Sequence, residues 1–123
     1  MFLTIANYLP RLKFFDAIRF FVLMLAGMKF RGRSLVLAPV TVRPIGGARN
    51  IEIGKGSFIN TGVRFGVPDS QVVIGKNVLV GPRVSFETVG HGLYHVSGVG
   101  RGENTEPIYV EDEVWIGAGI IIT

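Results

Sequence analysis

A six-residue repeat of apolar side chains is the feature that most restricts how this chain can fold. The repeat starts at residue 53 and keeps one phase within each of three stretches, 53–66, 74–87 and 110–123. Its nine apolar positions are Ile53, Ile59, Phe65, Ile74, Val80, Phe86, Val110, Ile116 and Ile122. Turn-forming or small residues follow six of them directly, at Gly54, Asn60, Gly66, Gly75, Gly81 and Gly117. A fixed period of this kind is typical of a solenoid built from stacked, similar coils.

The period of six has a simple physical interpretation. Each unit supplies one short strand and one turn, and three units close a triangular coil. Successive coils stack through parallel backbone hydrogen bonds, and their inward residues form a continuous apolar column. The turns require positive φ or close backbone approach, which explains the glycines and asparagine. We therefore predict an all-β solenoid, a parallel β-helix.

The repeat is interrupted twice. Extra residues near 67–70 predict a short turn loop. Residues 91–109 show no repeat and are rich in glycine, so they predict one long, irregular excursion loop. A long loop that leaves a rigid coil is a common place for functional residues. Upstream of the clear repeat, residues 35–53 predict an imperfect first coil.

The residues that precede the repeat form a different kind of segment. We predict an N-terminal helical segment, amphipathic to apolar, over residues 1–33 and a β-helix domain over residues 34–123. The helix lies within residues 12–28, with Pro10 at its start and Gly27 near its end. Its longest uncharged run is short of the roughly 20 residues that a bilayer-spanning helix needs. Two roles stay open: covering the open end of the β-helix or packing subunits, which we favour, and peripheral membrane contact through residues 8–31.

Charge is distributed unevenly along the chain. Residues 1–50 carry a net charge of +7 and residues 51–123 a net charge of −3, which gives +4 in total. The basic half indicates either an anionic partner, such as a membrane surface, or a solvated basic segment. We expect no nucleic acid partner, because the basic residues alternate with apolar runs and no binding module is visible.

Cysteine is absent from the sequence. This excludes disulfides, thiolate metal sites and cysteine nucleophiles. It is compatible with a reducing cytoplasm. We expect a cytoplasmic protein, located at the inner face of the membrane if the N-terminal segment binds lipid.

Two segments on either side of the excursion resemble a known family. They are VIGKNVLVGPRVSFETVGH and EPIYVEDEVWIGAGIII. The combination of T-x-G-H, a loop, and P-I-x-V-x-D-x-V-W-I-G resembles the sugar and polysaccharide O-acetyltransferase branch of the hexapeptide-repeat acyltransferases. The resemblance covers roughly residues 51–123. It implies a left-handed β-helix, a homotrimer with active sites between subunits, acetyl-CoA as co-substrate, no catalytic metal, and a small-molecule or glycan hydroxyl as acceptor.

The same resemblance implies roles for individual residues. His91 matches the general base, and Asn60 matches an asparagine that orients the acyl group or the acceptor. Ala118 would offer its backbone N–H to the oxyanion. Trp115 and Glu103 match residues near the substrate. An imidazole can take the proton of a sugar hydroxyl as it attacks a thioester, and no covalent enzyme intermediate is needed. Asn60 can instead hold a left-handed turn, and Trp115 can instead contribute to packing.

Two other functions remain to be weighed. The γ-type carbonic anhydrases use a similar coil but need three zinc-binding histidines, and this chain has two. The stronger alternative is a catalytically incomplete scaffold or fragment. The sequence ends midway through a coil, and the resemblance implies further coils that line the CoA groove. We therefore expect a chain truncated at its C-terminus.

Overall fold

The computed structural model describes residues 1–10, 12–91 and 93–123. Two helices precede a solenoid of short strands. The helices are α1 (Phe2–Tyr8) and α2 (Lys13–Leu25), and a 3₁₀ helix spans Ile45–Asn50. The strands are β1 (Lys29–Phe30), β2 (Leu35–Val36), β3 (Val40–Arg43), β4 (Ile51–Ile53), β5 (Phe58–Ile59), β6 (Val63–Gly66), β7 (Val72–Ile74), β8 (Leu79–Val80), β9 (Ser85–Glu87), β10 (Val89–His91), β11 (Glu103–Thr105), β12 (Ile108–Val110), β13 (Trp115–Ile116) and β14 (Ile121–Ile122).

Three parallel sheets form the walls of the solenoid. The first sheet has the strand order β1-β4-β7-β12, the second β2-β5-β8-β13, and the third β3-β6-β9-β14. Along the chain, strands enter the first, second and third sheets in turn, so each coil gives one strand to each wall. The predicted β-helix is confirmed, with four coils among the described residues.

Strand register confirms the frame of the six-residue repeat. In the first sheet Ile53 pairs with Ile74 and Ile74 with Val110. The same alignment joins the apolar positions of the second and third sheets. Ile53 and Phe65 are fully buried. The inward positions therefore form the continuous apolar column that the period predicts.

Glycines of the repeat allow the coils to stack closely. A Cβ atom added to Gly54 would lie 2.4 Å from the carbonyl carbon of Gly75 in the next coil. The left-handed backbone conformation occurs instead three residues after six of the nine apolar positions, those of the first and second sheets. It is found at Gly56, Gly62, Asn77, Arg83, Glu113 and Gly119. Asn60 is not among the residues with positive φ, so the suggested left-handed turn at that position is wrong.

The domain bounds differ from those expected. The N-terminal segment contains two helices, and the first coil begins at Lys29 because β1 already pairs with β4. The first coil therefore starts before residue 34. The excursion leaves the third sheet after Glu87 and rejoins the first sheet at Ile108, so it includes a hairpin that begins before residue 91.

The N-terminal helices cover the open edge of the first coil. Arg19 of α2 is fully buried and donates a 2.7 Å hydrogen bond to the carbonyl of Val36 in β2. The Asn7 side chain donates to the Val40 carbonyl and accepts from its amide, both at 2.8 Å. An edge strand otherwise leaves such backbone groups unpaired. This is the covering role that the sequence favours, and no described helix is long and apolar enough to cross a bilayer.

Candidate functional site

A β-hairpin at the corner between the third and first sheets carries the candidate site. Strand β10 pairs with β11 in antiparallel fashion, and His91 lies directly opposite Glu103. The hairpin stands between β9 of the third coil and β12 of the fourth. The structure thus brings together two of the residues that the sequence singles out, although they lie twelve positions apart.

The imidazole of His91 is exposed and has a defined partner. Its Nδ1 atom lies 3.2 Å from the carbonyl oxygen of Gly102. A carbonyl only accepts hydrogen bonds, so in the neutral ring Nδ1 carries the proton and Nε2 keeps its lone pair. The ring faces an open groove of about 380 Å³. The groove is lined by His91, Leu93, Arg101, Gly102, Glu103 and Asn104. The geometry suits a base that accepts a proton at Nε2.

The T-x-G-H motif has a local structural explanation. Thr88 is almost fully buried, and its hydroxyl donates a 2.7 Å hydrogen bond to the carbonyl of Gly66 in the coil below. This bond fixes the base of the hairpin to the β-helix. A Cβ atom on Gly90 would lie 2.7 Å from the side-chain oxygen of Asn104. Thr88 and Gly90 therefore position the strand that ends in His91.

Sequence reasoning missed Asn104. It lies opposite Gly90 in the hairpin and lines both the His91 groove and a second cleft of about 300 Å³ at the hairpin's base. The second cleft is lined by Glu87, Thr88, Val89, Gly90, Asn104, Glu106, Pro107 and Thr123. Arg64 Nε and the Ser85 hydroxyl each donate to Oε1 of Glu87, at 2.7 and 2.8 Å. Carboxylate and amide groups at these clefts can accept hydrogen bonds from hydroxyl groups.

The remaining predicted site residues lie elsewhere on the protomer. Asn60 is at the corner between the second and third sheets, where its side-chain oxygen accepts a 2.7 Å hydrogen bond from the Thr61 amide. Ala118 is at the same corner two coils further on. Trp115 lies on the outer face of the second sheet and is 76% exposed, which excludes core packing within one protomer. One protomer therefore does not bring these three residues to the corner that carries His91.

No cluster of three or more histidine, cysteine, aspartate or glutamate side chains that could hold a metal ion occurs among residues 1–10, 12–91 and 93–123. The second histidine, His95, is exposed in the excursion.

Known proteins resemble this chain in sequence and in structure, although it matches no protein-family model. A galactoside O-acetyltransferase of Lactococcus lactis is 29% identical over 76 residues, which are 62% of this chain and 36% of the relative. A galactoside O-acetyltransferase of Escherichia coli is 34% identical over 73 residues, 59% of this chain and 36% of the relative. The chain thus matches little more than a third of the length of these relatives.

A solved structure extends the similarity to nearly the whole chain. It is a hexapeptide-repeat-containing acetyltransferase from Vibrio cholerae, with a TM-score of 0.76 and 26% sequence identity. The match covers 98% of this chain and 64% of that one. With the stacked six-residue coils described above, these similarities support the hexapeptide-repeat acyltransferase family for this chain, and the structural match shows the left-handed parallel β-helix fold.

Proposed function

We propose that this chain transfers an acetyl group from acetyl-CoA to a hydroxyl of a sugar or polysaccharide precursor, with His91 as the general base. The observation that carries the proposal is the contact between His91 Nδ1 and the Gly102 carbonyl. It leaves Nε2 as the proton-accepting atom in an open groove. Acetyltransferases among the relatives support the type of reaction, and the galactoside enzymes support a sugar acceptor.

The proposed reaction uses the imidazole in this geometry. His91 Nε2 accepts the proton of the acceptor hydroxyl while the hydroxyl oxygen attacks the thioester carbonyl. The tetrahedral intermediate collapses, the carbon–sulfur bond breaks, and the imidazolium returns the proton to the departing thiolate. General base catalysis of this kind contributes about 10²–10⁴-fold to the rate. The backbone N–H of Ala118 is the proposed donor to the oxyanion, a contribution on the order of 10²–10³-fold.

Groups beside His91 suit a polyhydroxylated acceptor. Glu103 and Asn104 line the same groove as the imidazole. Their oxygens can accept hydrogen bonds from neighbouring hydroxyls, which would orient one hydroxyl towards Nε2. Glu103 is therefore proposed to contact the acceptor. No catalytic metal is required by this chemistry, because base and oxyanion donor are both protein groups.

The active site is proposed to form between protomers of a homotrimer. Asn60, Trp115 and Ala118 lie away from the His91 corner of their own protomer. A neighbouring protomer could present its own second sheet to that corner and so complete the site. Exposure of Trp115 on that sheet supports this arrangement.

The test is a thiol-release assay with acetyl-CoA and a panel of sugars. We expect His91→Ala to lower the rate of acetyl transfer by about 10²–10⁴-fold, since the general base is lost. His95→Ala is the matched control, because this second exposed histidine lies in the same excursion. It should keep the parental rate. A His91→Ala rate within about threefold of the parent would exclude the proposed role.

A non-catalytic scaffold is the competing function. The specific observation in its favour is that the chain matches only 36% of the length of the galactoside enzymes. Calorimetric titration with CoA separates the two. Binding supports the transferase, and absence of binding together with absence of thiol release supports the scaffold.

A further inference from the structure

The outward face of α2 is apolar along its whole length. Phe14, Ile18, Phe21 and Leu25 are 68%, 37%, 61% and 55% exposed. Their spacing of four, three and four residues places them in one stripe on the helix. Ala17 and Met24 are exposed in the same stripe. We call these six residues the α2 stripe.

The distribution of charged and apolar side chains on α2 is the reverse of that on an ordinary surface helix. Its charged pair points inward: the Arg19 side chain is 0% exposed and that of Asp16 is 13% exposed, and the two form a salt bridge. A helix that faces water normally places charged residues outside and apolar residues inside. Here the inner face covers the first coil, while the outer face offers contiguous apolar side chains. Apolar patches of this kind mark contact surfaces.

Basic residues flank the α2 stripe. Lys13 immediately precedes it in the helix and is exposed. Arg33 lines one groove of about 530 Å³ together with Phe14, Ile18 and Phe21. The first fifty residues contain a single acid, Asp16, and it is already paired with Arg19. No acidic residue in this half therefore offsets the charge around the stripe.

We propose that the α2 stripe docks on an anionic lipid bilayer, with α2 lying in the plane of the interface. An apolar stripe bordered by lysine and arginine has the composition of helices that lie in the headgroup region. Lys13 and Arg33 would contact lipid phosphates while the phenylalanines enter the acyl boundary. The two roles left open by the sequence then belong to opposite faces of one helix.

The test is cosedimentation of the full chain with phosphatidylcholine vesicles that contain or lack phosphatidylglycerol. We expect binding to the phosphatidylglycerol vesicles, and we expect it to weaken as salt screens the basic residues. The double variant Phe14→Ser/Phe21→Ser should partition about tenfold or more weakly, because the two aromatic rings that enter the acyl boundary are lost. Val99→Ser is the matched control, since Val99 is an apolar residue of similar exposure (77%) in the excursion.

A second variant keeps the proposal testable if the first one folds poorly. Lys13→Gln/Arg33→Gln retains the stripe and should lose only the part of the binding that depends on phosphatidylglycerol. The proposal is overturned if the parent does not cosediment, or if both double variants bind like the parent. It is also overturned if Phe14→Ser/Phe21→Ser changes only the mass in sedimentation velocity, which would assign the stripe to a second copy of this chain. These measurements need neither acetyl-CoA nor acceptor, so they do not depend on the proposed acyl transfer.

Discussion

Gly54 and Gly75 lie one above the other at the corner between the first and second sheets. Each follows an inward isoleucine, and these isoleucines, Ile53 and Ile74, are paired in register. The amide of Gly54 donates a 2.8 Å hydrogen bond to the Ile74 carbonyl. A Cβ atom on Gly54 would lie 2.4 Å from both the carbonyl carbon and the carbonyl oxygen of Gly75. A side chain at this corner would therefore push two coils apart and strain their hydrogen bonds.

Gly54→Ala should lower the free energy of unfolding by about 1–3 kcal/mol, the usual cost of overpacking. Urea denaturation of the purified variant measures it. Gly46→Ala is the matched control, because a Cβ atom at that glycine meets no atom within 4 Å. Equal denaturation midpoints for the two variants would contradict the close-contact explanation.

The structural role of a single residue could be predicted from the sequence only where that residue belongs to the six-residue repeat. Close-contact glycines follow the apolar positions and are readily recognised. The left-handed positions were missed because Asn77, Arg83 and Glu113 occupy three of them, and their residue types vary. The position of Asn104 in the His91 groove could not be predicted, since the excursion has no period from which the pairing with Gly90 could be inferred.

At the scale of strands and coils, the third sheet contains a direct aromatic link between neighbours. Phe65 of β6 and Phe86 of β9 are paired in register and are fully buried. Their ring centroids are 5.1 Å apart, with an interplanar angle of 6°. The rings stack along the solenoid axis, so they join the second coil to the third through packing as well as through hydrogen bonds.

A double-mutant cycle with Phe65→Leu and Phe86→Leu should give a coupling energy of about 0.5–1.5 kcal/mol. The physical reason is that either single substitution already removes the stacked pair. Chemical denaturation of the parent, both single variants and the double variant supplies the four free energies. A control cycle of Phe65→Leu with Met28→Leu, a buried residue that precedes the first coil, should be additive. Additivity in the Phe65–Phe86 cycle would show that the rings do not couple the coils.

The strands and helices could be predicted from the sequence only where the apolar residues follow a clear period. The nine repeat positions all fell on the correct strands, because inward burial dictates both period and register. Helix α1 lies inside the predicted N-terminal helical segment, but the sequence did not distinguish it from the helix expected within residues 12–28. Helix α1 has seven residues, too few to be stable alone, so its sequence carries only a weak helical signal. Tertiary contacts hold it, including the 2.8 Å hydrogen bond from Arg19 Nε to the Ala6 carbonyl.

At the scale of the whole molecule, the stability of a solenoid depends on each coil and on its contacts with its neighbours. The first coil lacks a preceding coil, and the N-terminal helices take that place. Arg19 is the centre of this arrangement. It donates to the carbonyls of Ala6, Leu9, Pro10 and Val36 and pairs with Asp16. One buried guanidinium thus joins both helices, the chain between them and strand β2.

Arg19→Met should therefore weaken the molecule as a whole. Methionine retains much of the volume but leaves four carbonyls and the Asp16 carboxylate without this donor, and breaking a buried ion pair costs about 3–5 kcal/mol. Loosened helices would also uncover the edge strands β1 to β3, which favours association between chains. Urea denaturation should show the loss of stability, and sedimentation velocity should show mass that grows with concentration beyond that of the parent. Arg49→Met, at an exposed arginine of the same basic half, should change neither quantity. If Arg19→Met behaves like Arg49→Met in both measurements, the helices are not fixed to the β-helix through this guanidinium, and the edge of the first coil must be protected in another way.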